Sequence, residues 1–192
     1  MELSFELPDG SRATLPAGTP AAELRNALKD GKKALAVKVD GEVIDVHSPL
    51  TKGGKVESVL PGTKDGLDVI RHTAAHVLAQ AVARRFGKDK IEFAIGPVTD
   101  DGFYYDFDVD RPFTPEDLEA FEKEMAKIVG EDLPLTRVEA KSKADALRIL
   151  EQSGRAKFKK EIVNDLPADA VVSFYSQGEF TDLCRGPHLP ST

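Results

Sequence analysis

The sequence predicts an α+β protein of two domains, and three observations carry that prediction. Residues 1–61 read as strand, strand, helix, strand, short strand and strand. A polar stretch follows, Pro61-Gly62-Thr63-Lys64-Asp65-Gly66. A long helical repeat over residues 66–86 then leads into paired aromatic strands and further short elements.

In the first segment, Leu3, Phe5 and Leu7 alternate, Pro8-Asp9-Gly10 supplies a turn, and Ala13 and Leu15 resume the alternation, which is a hairpin pattern. Thr19-Pro20 predicts a helix start, with Thr19 as N-cap and Pro20 at the first helical position. Ala21, Leu24, Ala27 and Leu28 supply its apolar face, and Gly31 stops it. Leu35, Val37 and Val39 alternate into Asp40-Gly41, Val43 begins a paired strand, and a last strand runs through Val56 and Val59. This order suits a small β-grasp-like domain over residues 1–61, with a second domain over residues 62–192.

The second domain opens with a helix from about Gly66 to Phe86, whose Ile70, Ala74, Val77, Leu78 and Ala81 form an apolar stripe, and Gly87 ends it. Strands Ile91 to Val98 and Phe103 to Val109 flank Asp100-Asp101-Gly102. Thr114-Pro115-Glu116-Asp117 caps a helix reaching about Val129. A strand is predicted over Leu135 to Glu139, helix over 142–163 with a break near Ser153-Gly154, and a strand over Val171 to Tyr175 before the Gln177-Gly178 turn. The chain then enters a loop broken by glycine and proline, Asp182-Leu183-Cys184-Arg185-Gly186-Pro187-His188. An antiparallel sheet beside one long histidine-bearing helix is the expected architecture.

Composition narrows the class. The 192 residues are 41% hydrophobic and 31% charged, as in ordinary globular proteins. No apolar run approaches the roughly 18 residues of a membrane helix. The N-terminus MELSFELPDG lacks the basic start and apolar block of a secretory leader. A single cysteine excludes an internal disulfide, and a cytoplasmic location is expected. The net charge of −7 argues against a bulk electrostatic grip on nucleic acid. Residues 100–132 hold twelve acids, whereas residues 141–160 form a basic zone of net +5 that reads either as a solvated face or as a strip for a few phosphates.

Four histidines are present, and two of them, His72 and His76, stand at i and i+4 of the long helix. At 100° per residue both lie about 160° from the centre of the apolar stripe. Ala79 and Ala83 continue their face with small side chains, leaving room beside the imidazoles. An ordinary surface pair is the plain alternative. His188 stands four residues after Cys184, with Gly186-Pro187 forcing a loop between them, and Asp182 precedes the cysteine by two. His72, His76, Cys184 and His188 have the residue types of a zinc site. Thr73 stands where a metalloprotease helix carries its Glu, and four protein ligands would close the coordination shell. The other reading is a metal-free hydrolytic pocket in which imidazoles and a lysine position water and steady an oxyanion.

The HTAAHVLAQA helix, the GFYYDFD strand and the DLCRGPH loop together resemble the N-terminal region of bacterial-type threonyl-tRNA synthetases. Residues 1–61 resemble the TGS domain of that family, and the rest its editing domain, whose fold is shared with the alanyl-tRNA synthetase editing domain. The resemblance implies proofreading hydrolysis of serine mischarged onto threonine tRNA. It places His72, His76, Cys184, His188 and Asp182 in the editing pocket, with Lys159 as the pocket lysine (Lys160 competing) and Tyr104 as the nearby tyrosine. It implies no cofactor for editing, although zinc stays open; ATP and a catalytic zinc belong to a synthetase core that is not recognisable here. Implied partners are threonine tRNA and the remainder of the synthetase, with a homodimer formed through that core. A non-catalytic RNA-binding module and a zinc-dependent trans-editing hydrolase are the alternatives.

Overall fold

The computed structural model describes residues 1–153 and 157–192, and the expected break after Ser153 falls partly outside them. The chain forms two compact units. The first comprises Met1–Arg71 with Gly186–Pro190, and the second His72–Arg185 with Ser191–Thr192. The contact boundary therefore falls at residues 71–72, inside a helix, whereas the polar stretch suggested residues 61–62.

The first unit is a five-stranded mixed sheet with a short helix. Its strands are β1 (Glu2–Glu6), β2 (Arg12–Pro16), β3 (Ala36–Val39), β4 (Glu42–Asp45) and β5 (Gly54–Val59), in the order β2-β1-β5-β3-β4. β1 and β5 run parallel at the centre and every other pairing is antiparallel. Asp40 and Gly41 turn β3 into β4 with φ of 47° and 85°, the pair of positive values that a tight hairpin twisting with its strands demands. Leu3, Phe5, Leu24, Val37, Val39, Leu50 and Val56 make the core.

Helix α1 (Ala21–Asn26) departs from expectation at both ends. Its N-cap is Pro20, and no side chain caps it. The carbonyls of Ser48 and Val46 accept from Ala21 and Ala22 N–H instead, so a neighbouring loop does the work assigned to Thr19. The helix ends five residues before Gly31, and the chain continues in tight turns. Gly31 is needed there for another reason: a Cβ would fall 2.0 Å from the Arg25 carbonyl oxygen.

In the second unit α2 (Lys64–Phe86), which starts in the first, runs through the centre and ends where Gly87 turns with φ 92°. Around it lie β6 (Ile91–Phe93), β7 (Phe107–Val109), α3 (Pro115–Glu131), β8 (Leu135–Glu139), α4 (Lys143–Ser153), α5 (Lys157–Asp165), β9 (Ser173–Gln177) and β10 (Phe180–Leu183). β10, β9 and β8 form a three-stranded antiparallel sheet in that order. The α+β class and the antiparallel sheet thus stand as predicted.

Three details differ. The α2 core is not one stripe: Ala79, Val82 and Ala83 pack with Phe93, Phe121 and Phe180, while Val77 and Ala81 pack with Ile128. The alanines beside the histidines therefore admit aromatic rings and leave no vacant face. The hairpin strands are shorter than expected because Gly96-Pro97 interrupts the ladder, leaving scattered bonds such as Asp106 N–H to Ile95 O. Asp182 and Leu183 belong to β10, paired with Tyr175 and Phe174, and not to a loop. No helix among the described residues is long and apolar enough to cross a membrane.

Arg84 ties α2 to its surroundings through Glu131 and Glu179 at 2.7 Å and Glu124 at 3.2 Å. Thr114 caps α3 in a reciprocal capping box with Asp117, whose carboxylate also pairs with Arg111. Thr114→Ala should lower the stability of the second unit by about 1 kcal/mol. Urea denaturation followed by circular dichroism measures this, and an unmoved midpoint would show the cap to be idle.

Candidate functional site

The site is built where one face of α2 meets one face of β10. Phe180, Asp182 and Cys184 alternate onto the same side of the strand line, which Cys184 continues by donating its N–H to the Ser173 carbonyl. His72 and His76 sit one turn apart on α2. Four helical residues advance about 6 Å, and two strand residues about 6.6 Å. The two spacings match, so the side chains meet in register. His72 Nε2 lies 3.2 Å from Cys184 Sγ, and His76 Nε2 lies 3.9 Å from Asp182 Oδ2. The His76 ring also meets the Phe180 ring edge to face.

These side chains line a cavity of about 570 Å³ within the second unit. Its walls also include Ile95, Gly96 and Pro97 from the hairpin, Tyr105, Lys159, Ile162 and Leu166 from α5 and its end, Val171 to Ser173, Leu183 and Arg185. The volume is within the usual range for small-ligand sites, and the wall is mostly apolar with a few convergent polar groups.

Lys159 and Asp182 form an ion pair in which both side chains are nearly inaccessible. Tyr105 donates its hydroxyl to Asp182 Oδ2 at 2.6 Å and accepts from Lys159 Nζ at 3.3 Å. Leu183 N–H donates to Asp182 Oδ1. Burial works to raise the Asp182 carboxyl, but the Lys159 charge, His76 and the bonds from Lys159 and Tyr105 outweigh it and hold the group below the usual carboxylate range. Burial pushes the His76 imidazole down to about 3; Asp182 opposes this, while His72 and Lys159 add to it. His76 is therefore neutral at physiological pH, and a ring so weakly basic positions groups by hydrogen bonding and does not take protons from water.

The competing lysines are distinguished by geometry. Lys159 points into the cavity, while Lys160 is paired with Glu151. Tyr104 is 49% exposed and is not among the residues lining this cavity, whereas Tyr105 is bonded within it. Tyr105 shares its face with Phe103 and Phe107, and that apolar company is the sequence signal marking it as inward. Its ring lies against Gly96, where a Cβ would come within 2.4 Å of it. His188 belongs to the Gly186–Pro190 segment of the first unit, where it is fully buried. Within the second unit, His72, His76 and Cys184 bring together two imidazoles and a thiol, donor types that suit a metal ion. Within the basic zone Arg148, Lys157, Lys159 and Lys160 are each paired with a carboxylate, and Arg155 lies outside the described residues.

Comparison with known proteins adds to the geometry. A family model described as the threonyl and alanyl tRNA synthetase second additional domain matches residues 172–192. The chain is 45% identical to the threonine-tRNA ligase of Halalkalibacterium halodurans over 99% of its own length and 30% of the relative. It is 46% identical to that of Citrifermentans bemidjiense and 47% to that of a Geobacter species, in each case over 100% of this chain and 30% of the relative. The chain thus spans about 30% of the length of the curated relatives it matches.

Two outcomes are expected from the electrostatics. Because the unfolded His76 binds a proton near 6.5 and the folded one only near 3, the unfolded state takes up more protons between these values. Its contribution to stability is complete above 6.5 and is lost as pH falls toward 3. Denaturation of chelator-treated protein across this window should show the slope, and His76→Asn should flatten it; an unchanged slope would contradict the assignment. Second, Lys159→Met strands the Asp182 carboxylate and should cost about 3–5 kcal/mol. The Lys159→Met/Asp182→Asn pair should recover part of that loss in the same denaturation measurement.

Proposed function

We propose that this chain is the N-terminal portion of a threonine-tRNA ligase and that its second unit proofreads by hydrolysing serine esterified to threonine tRNA. Residues 1–61 are read as the TGS-like domain and residues 62–192 as the editing domain. The observation that carries this reading is the cavity in which a lysine, an aspartate, a tyrosine, two imidazoles and a thiol converge. The similarity to threonine-tRNA ligases along nearly the whole chain supports it.

Serine lacks one methyl of threonine, and one methyl discriminates by only about 1–3 kcal/mol. A second pocket that admits the smaller ester multiplies that selectivity. The chemistry is attack of water on the ester carbonyl, with the tRNA terminal ribose oxygen as leaving group. Lys159, pinned by Asp182 and Tyr105, supplies positive charge where the oxyanion develops. His72 and the neutral His76 orient the ribose hydroxyl, His188 joins Lys159 in positioning water, and Cys184 shapes the wall. The single-stranded tRNA end needs few phosphate contacts, which suits a chain of net charge −7. The remainder of the synthetase supplies the other partner surfaces, including a dimer, and the ATP-dependent charging reaction, all in the cytoplasm.

A zinc-dependent hydrolase is the second reading, favoured by the two imidazoles and the thiol that converge in the second unit. His72 Nε2 and Cys184 Sγ are 3.2 Å apart. Zinc bonds of roughly 2.0 and 2.3 Å in a tetrahedron set their donors about 3.5 Å apart, so a small opening would admit the ion.

Deacylation of Ser-tRNA and Thr-tRNA, with and without chelator, tests both readings. The chain should cleave the seryl ester preferentially and keep its rate in chelator. A His72→Ala/His76→Ala variant that remains folded should lose at least about tenfold in rate. An unchanged rate would remove the histidines from the reaction, and loss of activity in chelator would establish the zinc reading.

A further inference from the structure

We propose that Asp45, at the end of β4, is a positioning residue for His188; this rests on reading His188 as part of the hydrolytic set. Asp45 is 1% exposed, a setting in which a carboxylate persists only when well hydrogen-bonded. Its Oδ1 accepts from His47 N–H at 3.0 Å and from the N–H and hydroxyl of Ser48 at 2.9 and 3.0 Å. Those bonds close the turn after β4 with one oxygen. Oδ2 accepts from the N–H of His188 at 3.1 Å, across 143 residues of chain.

The local turn does not require that second bond. It fixes the backbone of a residue only four positions beyond Cys184. The segment Gly186–Pro190 clusters with the first unit, yet the chain enters it from Arg185 and leaves it at Ser191, both of the second. The His188 backbone is thus held by a carboxylate of the first unit, while the segment's covalent ends belong to the second. A bond from N–H to an ionised carboxylate is about twice as strong as a neutral one. Displacing a reacting group by about 1 Å can cost about a hundredfold in rate.

Asp45→Asn separates the two tasks. With its oxygen kept on the turn, its amide nitrogen meets the His188 N–H donor to donor. Ser48→Ala removes a turn bond and leaves the long one intact. In the 192-residue chain, Asp45→Asn should lower kcat for Ser-tRNA deacylation by about tenfold to a hundredfold, with KM within twofold. It should also abolish hydrogen-exchange protection of the His188 amide. Ser48→Ala should change neither. Asp45→Ser, whose hydroxyl keeps a turn bond and lacks a second oxygen, is the backup with the same expectations should Asp45→Asn unfold the first unit. Wild-type kcat in Asp45→Asn, or equal losses in Asp45→Asn and Ser48→Ala that track stability, would overturn the proposal. If the wild type cleaves no seryl ester, the proofreading reading fails separately. Amide exchange at His188 then still decides whether Asp45 holds it: retained protection in Asp45→Asn refutes the positioning contact, and its loss supports it.

Discussion

The Lys159–Asp182 pair is the interaction on which the second unit's cavity depends. Two charges taken out of water cost several kcal/mol each unless they meet one another and their remaining hydrogen-bonding positions are filled. Here Tyr105 and the Leu183 N–H fill them. Those partners come from α5, β10 and the aromatic hairpin, so the pair requires three separate elements to arrive together. Nonpolar substitutes at both positions together would spare the desolvation cost but would leave the cavity without its fixed cation.

Around that pair the polar groups have divided roles. Asp182 is held ionised by its neighbours, while His76, one contact further in, is held neutral by burial. The wall therefore offers a cation, an anion and uncharged imidazole edges within a largely apolar surface. Such a surface can steady charge that develops during ester cleavage without exposing strong bases that would react with water indiscriminately. Rigidity comes from the surroundings: Tyr105 is stacked on Phe107 at 5.0 Å and set edge-on to Phe93, and Phe93 is itself set edge-on to Phe180. The same rings that build the core hold the polar edge of the site.

The first unit is a complete small sheet with its own core. Its Asp45 carboxylate uses one oxygen for a local turn and the other for a distant backbone N–H. A buried carboxylate bonded on both sides constrains both partners.

The succession of strands and helix in the first unit, the cap at Thr114 and the helix carrying His72 and His76 were legible because each follows from local rules: alternation, turn chemistry and helical period. The residue types of the site were legible too, since histidine, cysteine, aspartate and lysine in those stretches admit few uses. Local rules failed where a distant group supplied what they assume to be local. The Ser48 and Val46 carbonyls replaced the Thr19 cap, pairing with β9 made a strand of Asp182, and the rings of Phe93 and Phe180 filled the space that the alanines of α2 suggested was vacant. Tyr105 and not Tyr104 reaches Asp182 because the hairpin's inward face is set by packing against Phe93. The sequence by itself determined which elements form and which chemistry they carry. Tertiary structure alone decided which side chains meet, because burial energy and hydrogen-bond pairing act between residues that are neighbours only in space.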